Sequence, residues 1–142
     1  MKDQDLEKNS VIISNWGLNN KVNVKIIKPN NLRNLKTIIK NSSRSSIISR
    51  GLGRSYGDAS QLDSKSVLNL KNFNNINLDK KNSKVTVGGG VSIDSLLKNI
   101  IPKGFFIPVS PGTSKVTIGG AIAADVHGKN HYLKGSFGNN VE

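Results

Sequence analysis

Cysteine is absent from this chain, which removes disulfides, thiolate metal sites and cysteine nucleophiles at once. Aromatic residues make up only 5% of it, and no RNA-binding aromatic signature is present. No window approaches the roughly 18 unbroken apolar residues that a membrane helix needs. Residues 1–8 alternate acid and base, so they read as neither a signal peptide nor an anchor. The expectation is a soluble, cytoplasmic protein with no integral membrane segment, for which peripheral membrane association stays open.

Acidic residues are also few, 9 against 21 lysines and arginines, giving a formal charge of +12. Such an excess suggests a polyanionic partner, and nucleic acid is the first to test. The lysines are scattered, however: Lys21, Lys25, Lys28, Lys36 and Lys40, then Lys65, Lys71, Lys80, Lys81 and Lys84, among abundant Asn and Ile. No helix-turn-helix or zinc ligand set accompanies them. A solvated basic surface is the better reading, and nucleic acid is not expected as a partner. The surface still attracts phosphate-bearing ligands over long range. At 142 residues and 35% apolar, the chain has room for one domain or a piece of a larger one.

Residues 1–15 are polar and read as loosely held. Residues 21–27 (K-V-N-V-K-I-I) alternate as a half-buried strand does. Pro29 breaks the run, and Asn30 or Asn31 can cap a helix whose Leu32, Leu35, Ile38 and Ile39 share a face. Ile47-Ile48 then leads into Arg50-Gly51, a β-α-β unit feeding a glycine-rich loop. Three strand candidates follow at 67–70, 76–78 and 84–87, and their close spacing favours antiparallel pairing. Ser92 can cap a helix carrying Ile93, Leu96, Leu97, Ile100 and Ile101 as one stripe, closed by Pro102 and Gly104. Residues 105–109 return as an extended segment. The chain stops soon after Gly135-Ser136-Phe137-Gly138, without a closing strand or helix, and a fragment is expected.

The first constellation is Arg50-Gly51-Leu52-Gly53-Arg54-Ser55-Tyr56-Gly57-Asp58. Glycines after a strand permit positive φ, so consecutive N–H groups can line one concavity and bind phosphate oxygens. Ser55 adds a hydroxyl donor, and Arg50 or Arg54 adds charge. A tight turn between strands would need one such glycine or two, not three. The spacing is not that of a dinucleotide fingerprint, because Gly57 arrives one residue late and residues 58–66 carry no helical stripe. Gly128-Lys129 followed by Asn130 is likewise no Walker A loop.

The second constellation, Pro111-Gly112-Thr113 with Thr117-Ile118-Gly119-Gly120-Ala121, offers small residues that let a flat ligand approach the backbone. Close helix packing would use the same residues. The third is His127-Gly128-Lys129-Asn130-His131 after Asp125. Its two histidines suggest a metal, but no third histidine and no cysteine exist to complete a site, so none is expected. Histidine and lysine there can instead stabilise negative charge or orient a substrate hydroxyl. A basic surface loop is the plain alternative.

Together these motifs resemble the FAD-linked oxidases, the vanillyl-alcohol oxidase or PCMH-type flavoproteins, and within them the decaprenylphosphoryl-ribose 2-oxidase-like sugar oxidases. The likeness runs over residues 16–141, with 50–58, 111–113 and 117–136 most specific. It implies an α+β fold: a small βαβ subdomain followed by part of a mainly antiparallel α+β subdomain, together an incomplete PCMH-type FAD-binding domain over residues 16–142 with FAD between its two parts. Gly51, Leu52, Gly53, Arg54, Ser55, Tyr56, Gly57, Asp58 and Ala59 would form the diphosphate loop beside Arg50. Gly112, Thr117, Ile118, Gly119 and Gly120 would line the cofactor. Ala124, Asp125, Val126 and His127 would pass the flavin ring, with Tyr56 near it and His127 and Lys129 toward the substrate. Many relatives attach FAD through a histidine in the first loop; Arg54-Ser55 stands there instead, which implies non-covalent FAD. The implied activity is two-electron oxidation of a sugar-type secondary alcohol, a sugar or polyprenyl-phosphate sugar. The substrate domain, the base and further flavin contacts would lie in a carboxy-terminal half that this chain lacks. A non-catalytic fragment or a basic nucleic-acid-binding module is the alternative.

Overall fold

The computed structural model describes residues 10–43 and 45–142, so the reading of residues 1–8 lies outside the described residues. The chain divides into two compact units, Met1–Phe73 and Asn74–Glu142.

The first unit is built on a four-stranded sheet. Its strands are β1 (Val11–Ile13), β2 (Val22–Ile27), β3 (Ile47–Arg50) and β4 (Ser66–Asn69), in the order β1-β2-β4-β3. β1 pairs antiparallel with β2, Val11 opposite Val24, in a stretch that the sequence marks only as polar and loosely held. β4 lies parallel between β2 and β3, with Val67 opposite both Ile26 and Ile48. The expected antiparallel pairing therefore fails at β4. Its neighbours in sequence are not its neighbours in space, because the glycine-rich loop carries the chain back across the sheet. Val24, Ile27, Val67 and Leu68 are the buried side chains of this sheet.

Between β2 and β3 runs α1 (Leu32–Asn41), started by Asn31, whose side chain accepts the Asn34 N–H at 2.8 Å. Its last turn is closed by Ser42, whose hydroxyl donates to Ile38 O at 2.7 Å. The apolar stripe is shallowly placed: no residue of α1 is fully buried, and Leu32 and Ile39 are more than half exposed.

The second unit begins with the antiparallel hairpin of β5 (Ile76–Asp79) and β6 (Lys84–Val87). Asp79 closes it by accepting the Asn82 N–H at 3.1 Å and the Asn82 side-chain amide at 2.7 Å. After the glycine run 88–90, Ser92 caps α2 (Ile93–Ile100), with its hydroxyl accepting the Ser95 N–H at 3.0 Å. Ile93, Leu96 and Ile100 are buried in the core of this unit, beside Ile107, Val109 and Phe137. Residues 101–103 tighten into a 3-10 turn that Gly104 ends at φ +86°. Residues 105–109, expected as an extended segment, alternate between the core and solvent and join no ladder.

Thr117 caps the short helix α3 (Ile118–Ala123), and a last short helix, α4 (His131–Lys134), follows. The two capping residues Ser92 and Thr117 form an antiparallel bridge, so α2 and α3 start side by side.

Candidate functional site

The loop after β3 is held open by a segment that motif spacing does not connect to it. The Arg50 guanidinium turns back into the first unit, where Nη2 donates to Ser14 O at 2.6 Å and Nη1 to the Asn15 side chain and to Ser60. Partial burial lowers its pKa from the usual arginine value, and the surrounding acceptors keep the charge. Asn15 is buried; it accepts from the Ser60 hydroxyl at 3.0 Å and donates to Gly57 O at 2.5 Å. Trp16 N–H donates to Ser55 O at 2.9 Å, and Arg54 lies over the Trp16 ring, 4.7 Å from its centroid. Period and spacing missed these partners, because a contact across about forty residues leaves no local pattern. The lone tryptophan of the chain, followed by Gly17, was the available signal.

Gly53 takes φ +64°, a region that disfavours a side chain. A Cβ there would strike the Arg50 guanidinium, so this glycine makes room for the arginine. A Cβ on Gly57 would meet nothing within 4 Å. Among the described residues, the N–H groups of Gly53, Ser55, Tyr56, Gly57 and Asp58 donate to no protein acceptor, while Ser55 O, Gly57 O and Asp58 O all accept. Uncommitted amides beside used carbonyls fit an anionic group. Two hollows flank the loop. One, of about 360 Å³, is lined by Ser14, Asn15, Trp16, Leu18, Leu52, Gly53 and Arg54. The other, of about 140 Å³, touches Tyr56, Gly57 and Asp58 as well as Gln61, whose buried Oε1 has no partner. Tyr56 is exposed, and so is Ala59.

In the second unit the expected cofactor-lining residues fall into two groups. Thr117 and Ile118 are buried and structural: Thr117 Oγ1 accepts the Gly120 N–H at 3.1 Å, and Ile118 sits in the core. Ile118 N–H and Gly119 N–H donate to Val91 O and Gly89 O, so neither is left for a ligand. A Cβ on Gly119 would lie 3.0 Å from Gly89 O, which makes this a close approach of two backbones. Gly112, Gly120, Ala124, Asp125 and His127 are exposed, and Val126 packs partly against the core.

Asp125 adopts φ +41° and accepts the Gly138 N–H at 2.8 Å. The Ser136 hydroxyl, then the Gly138 N–H, hold its carboxyl below the ordinary aspartate range. Next to it, His127 bridges Ser136 across the turn. The rings of His127 and His131 meet edge to face, 5.3 Å between centroids, and His131 Nδ1 lies 3.2 Å from Gly128 O. A Cβ on Gly128 would lie 2.5 Å from Ser110 O, so a second close backbone approach ties this turn to the segment before Pro111. Lys129 is exposed. Among the described residues no three His, Cys, Asp or Glu side chains gather as a metal would need.

Residues 25–142 match the FAD binding domain family. Over 96 residues the chain is 50% identical to decaprenylphosphoryl-β-D-ribose oxidase of Mycolicibacterium smegmatis, covering 67% of this chain and 21% of that protein. Among solved structures it is similar to cholesterol oxidase of Brevibacterium sterolicum (TM-score 0.74, 18% identity, 84% of this chain and 24% of that one). Alkyldihydroxyacetonephosphate synthase is similar too (TM-score 0.69, 17% identity, 86% and 25%). At these identities the structures establish the fold: the α+β arrangement is that of the PCMH-type FAD-binding domain, of which the chain carries part. It spans about a fifth of the curated relative's length. With a family match across both units and a loop whose free amides suit an anion, the chain belongs to the FAD binding domain family.

Proposed function

We propose that this chain is the cofactor-holding part of a flavin-dependent oxidoreductase that takes two electrons from a sugar-type secondary alcohol, such as a polyprenyl-phosphate sugar. The observation that carries this reading is the set of uncommitted loop amides at Gly53, Ser55, Tyr56, Gly57 and Asp58, set in a chain of the FAD binding domain family. The half-identical relative, named for oxidation of a decaprenylphosphoryl sugar, supports the substrate class. Bound FAD supplies the electron acceptor; the chain's residues hold and orient it.

In this reading the loop amides and the Ser55 hydroxyl bind the diphosphate, Arg50 adds positive charge, and Gly51, Leu52, Arg54 and Ala59 complete the loop. Gly112, Gly120 and Ala124 give a flat ligand close access to backbone, while Thr117, Ile118 and Gly119 shape that surface from behind. Asp125 and Val126 position His127, and His127 with Lys129 favours negative charge on the substrate side, with Tyr56 contributing to positioning. The hydroxyl proton is taken by a base outside these 142 residues, in the remainder of an enzyme of the relative's length. No cysteine exists and the histidines are confined to 127 and 131, which supports FAD held without a covalent bond through the loop.

The test is reconstitution of the chain with FAD, alone and co-expressed with the carboxy-terminal remainder of a protein of the relative's kind. The expected result is a yellow protein whose flavin passes wholly into the supernatant on acid precipitation. A protein that stays colourless in both settings sinks the reading, and flavin that stays with the pellet overturns its non-covalent part.

A further inference from the structure

Residues 14–16 lie ahead of the segment matched by the family, yet they hold the loop along its length. Ser14 O takes Arg50 at the loop's start, Trp16 N–H takes Ser55 O, and Asn15 takes Gly57 O as well as Arg50 and Ser60. Asn15 is only 4% exposed, so water does not stand in for these bonds.

Two of the bonds fix loop carbonyls, and that has a geometric consequence. In a planar trans peptide the C=O of one residue and the N–H of the next point in opposite directions, and the described chain has no cis peptide. Holding Ser55 O on Trp16 turns the Tyr56 N–H away from residues 14–16. Holding Gly57 O on Asn15 turns the Asp58 N–H away likewise. Both amides are among those with no protein acceptor. An anion is drawn to N–H dipoles and repelled by carbonyl oxygens, so a loop sorted in this way binds it better than one free to rotate its peptides.

Resting on the FAD reading above, we propose that Asn15 is a positioning residue for the cofactor's diphosphate, acting by holding the 57–58 peptide so that the Asp58 amide, with that of Tyr56, faces the anion.

Asn15→Asp removes the donor on which this role depends. The carboxylate keeps Arg50 and Ser60 as partners and loses the donor to Gly57 O. The expected result is a cooperative urea transition with a lowered midpoint, because the Gly57 carbonyl loses its donor, together with FAD affinity weakened tenfold or more and a displaced Asp58 amide resonance in the 15N spectrum. Affinity within twofold of the unaltered chain overturns the proposal. A second measurement needs neither the variant nor FAD: inorganic pyrophosphate is titrated into the unaltered chain and the amides are followed. The largest shifts at Tyr56 and Asp58 support the proposal, even if FAD itself does not bind and the FAD reading fails. Shifts confined to other loop amides, or none, overturn it.

Discussion

Gly53 shows how one backbone angle commits a loop. At φ +64° a valine is strained by about 1–3 kcal/mol, and its Cβ must also displace the Arg50 guanidinium from Ser14, Asn15 and Ser60. Gly53→Val is expected to lower the urea midpoint and abolish FAD retention together. Gly57→Ala separates the two effects, because its Cβ meets nothing within 4 Å. It should fold within about 0.5 kcal/mol of the unaltered chain and still bind FAD less tightly, since the methyl group occupies open space beside the free amides. Asp125 supplies the pH-dependent counterpart. Its folded pKa is depressed by the Ser136 hydroxyl and the Gly138 N–H, so the contribution is full above the unfolded value near 3.9 and is lost as pH falls through the lower folded value. The Gly138 amide resonance should therefore titrate below pH 4 or so. In Asp125→Asn, which keeps an acceptor, it should stay flat.

At the scale of elements, Thr117 joins α3 to α2, because its side chain caps one helix while its backbone bridges the cap of the other. Thr117→Val removes the acceptor for the Gly120 N–H and leaves the volume. It should cost about 1–2 kcal/mol in urea unfolding of the second unit, more than Ser92→Ala, since Ser92 is the less buried of the two caps. Much of this architecture is legible beforehand. Asn31 and Ser92 are capping residues placed just before apolar stripes, and both cap. What fails is what locality does not encode. β4 resembles its sequence neighbours in length and composition, yet pairs parallel with strands about 20 and 40 residues away, because parallel pairing is set by the crossover and not by the turn beside it. The three-residue β1 is too short to show alternation. The same limit governs the candidate site. Glycine spacing identifies the loop at 50–58, whereas the Asn15 brace depends on a single buried amide. Composition draws Thr117 and Ile118 into the candidate site, whereas their burial, Thr117 as a helix cap and Ile118 in the core, is set by packing that composition does not encode.

For the whole molecule the quantity that matters is charge, 21 basic against 9 acidic residues. Because the lysines are dispersed, they act as a field more than as a set of contacts, and a field is screened over about 10 Å at 0.1 M salt. FAD carries only the charge of its diphosphate, so the field speeds encounter, while short-range bonds to the loop amides decide how long the cofactor stays. A polyanion held by the same lysines behaves otherwise. Releasing counterions from six to ten phosphates costs about 10³–10⁵ in affinity between 50 and 200 mM salt. Stopped-flow binding of FAD across about 0.05–0.5 M salt distinguishes the two. The association rate should fall several-fold as the field is screened, and the dissociation rate should stay nearly constant, because hydrogen bonds inside the loop lie well within a screening length. A dissociation rate that climbs as steeply as association falls would mean that the surface lysines, and not the amides of residues 53–58, hold the cofactor.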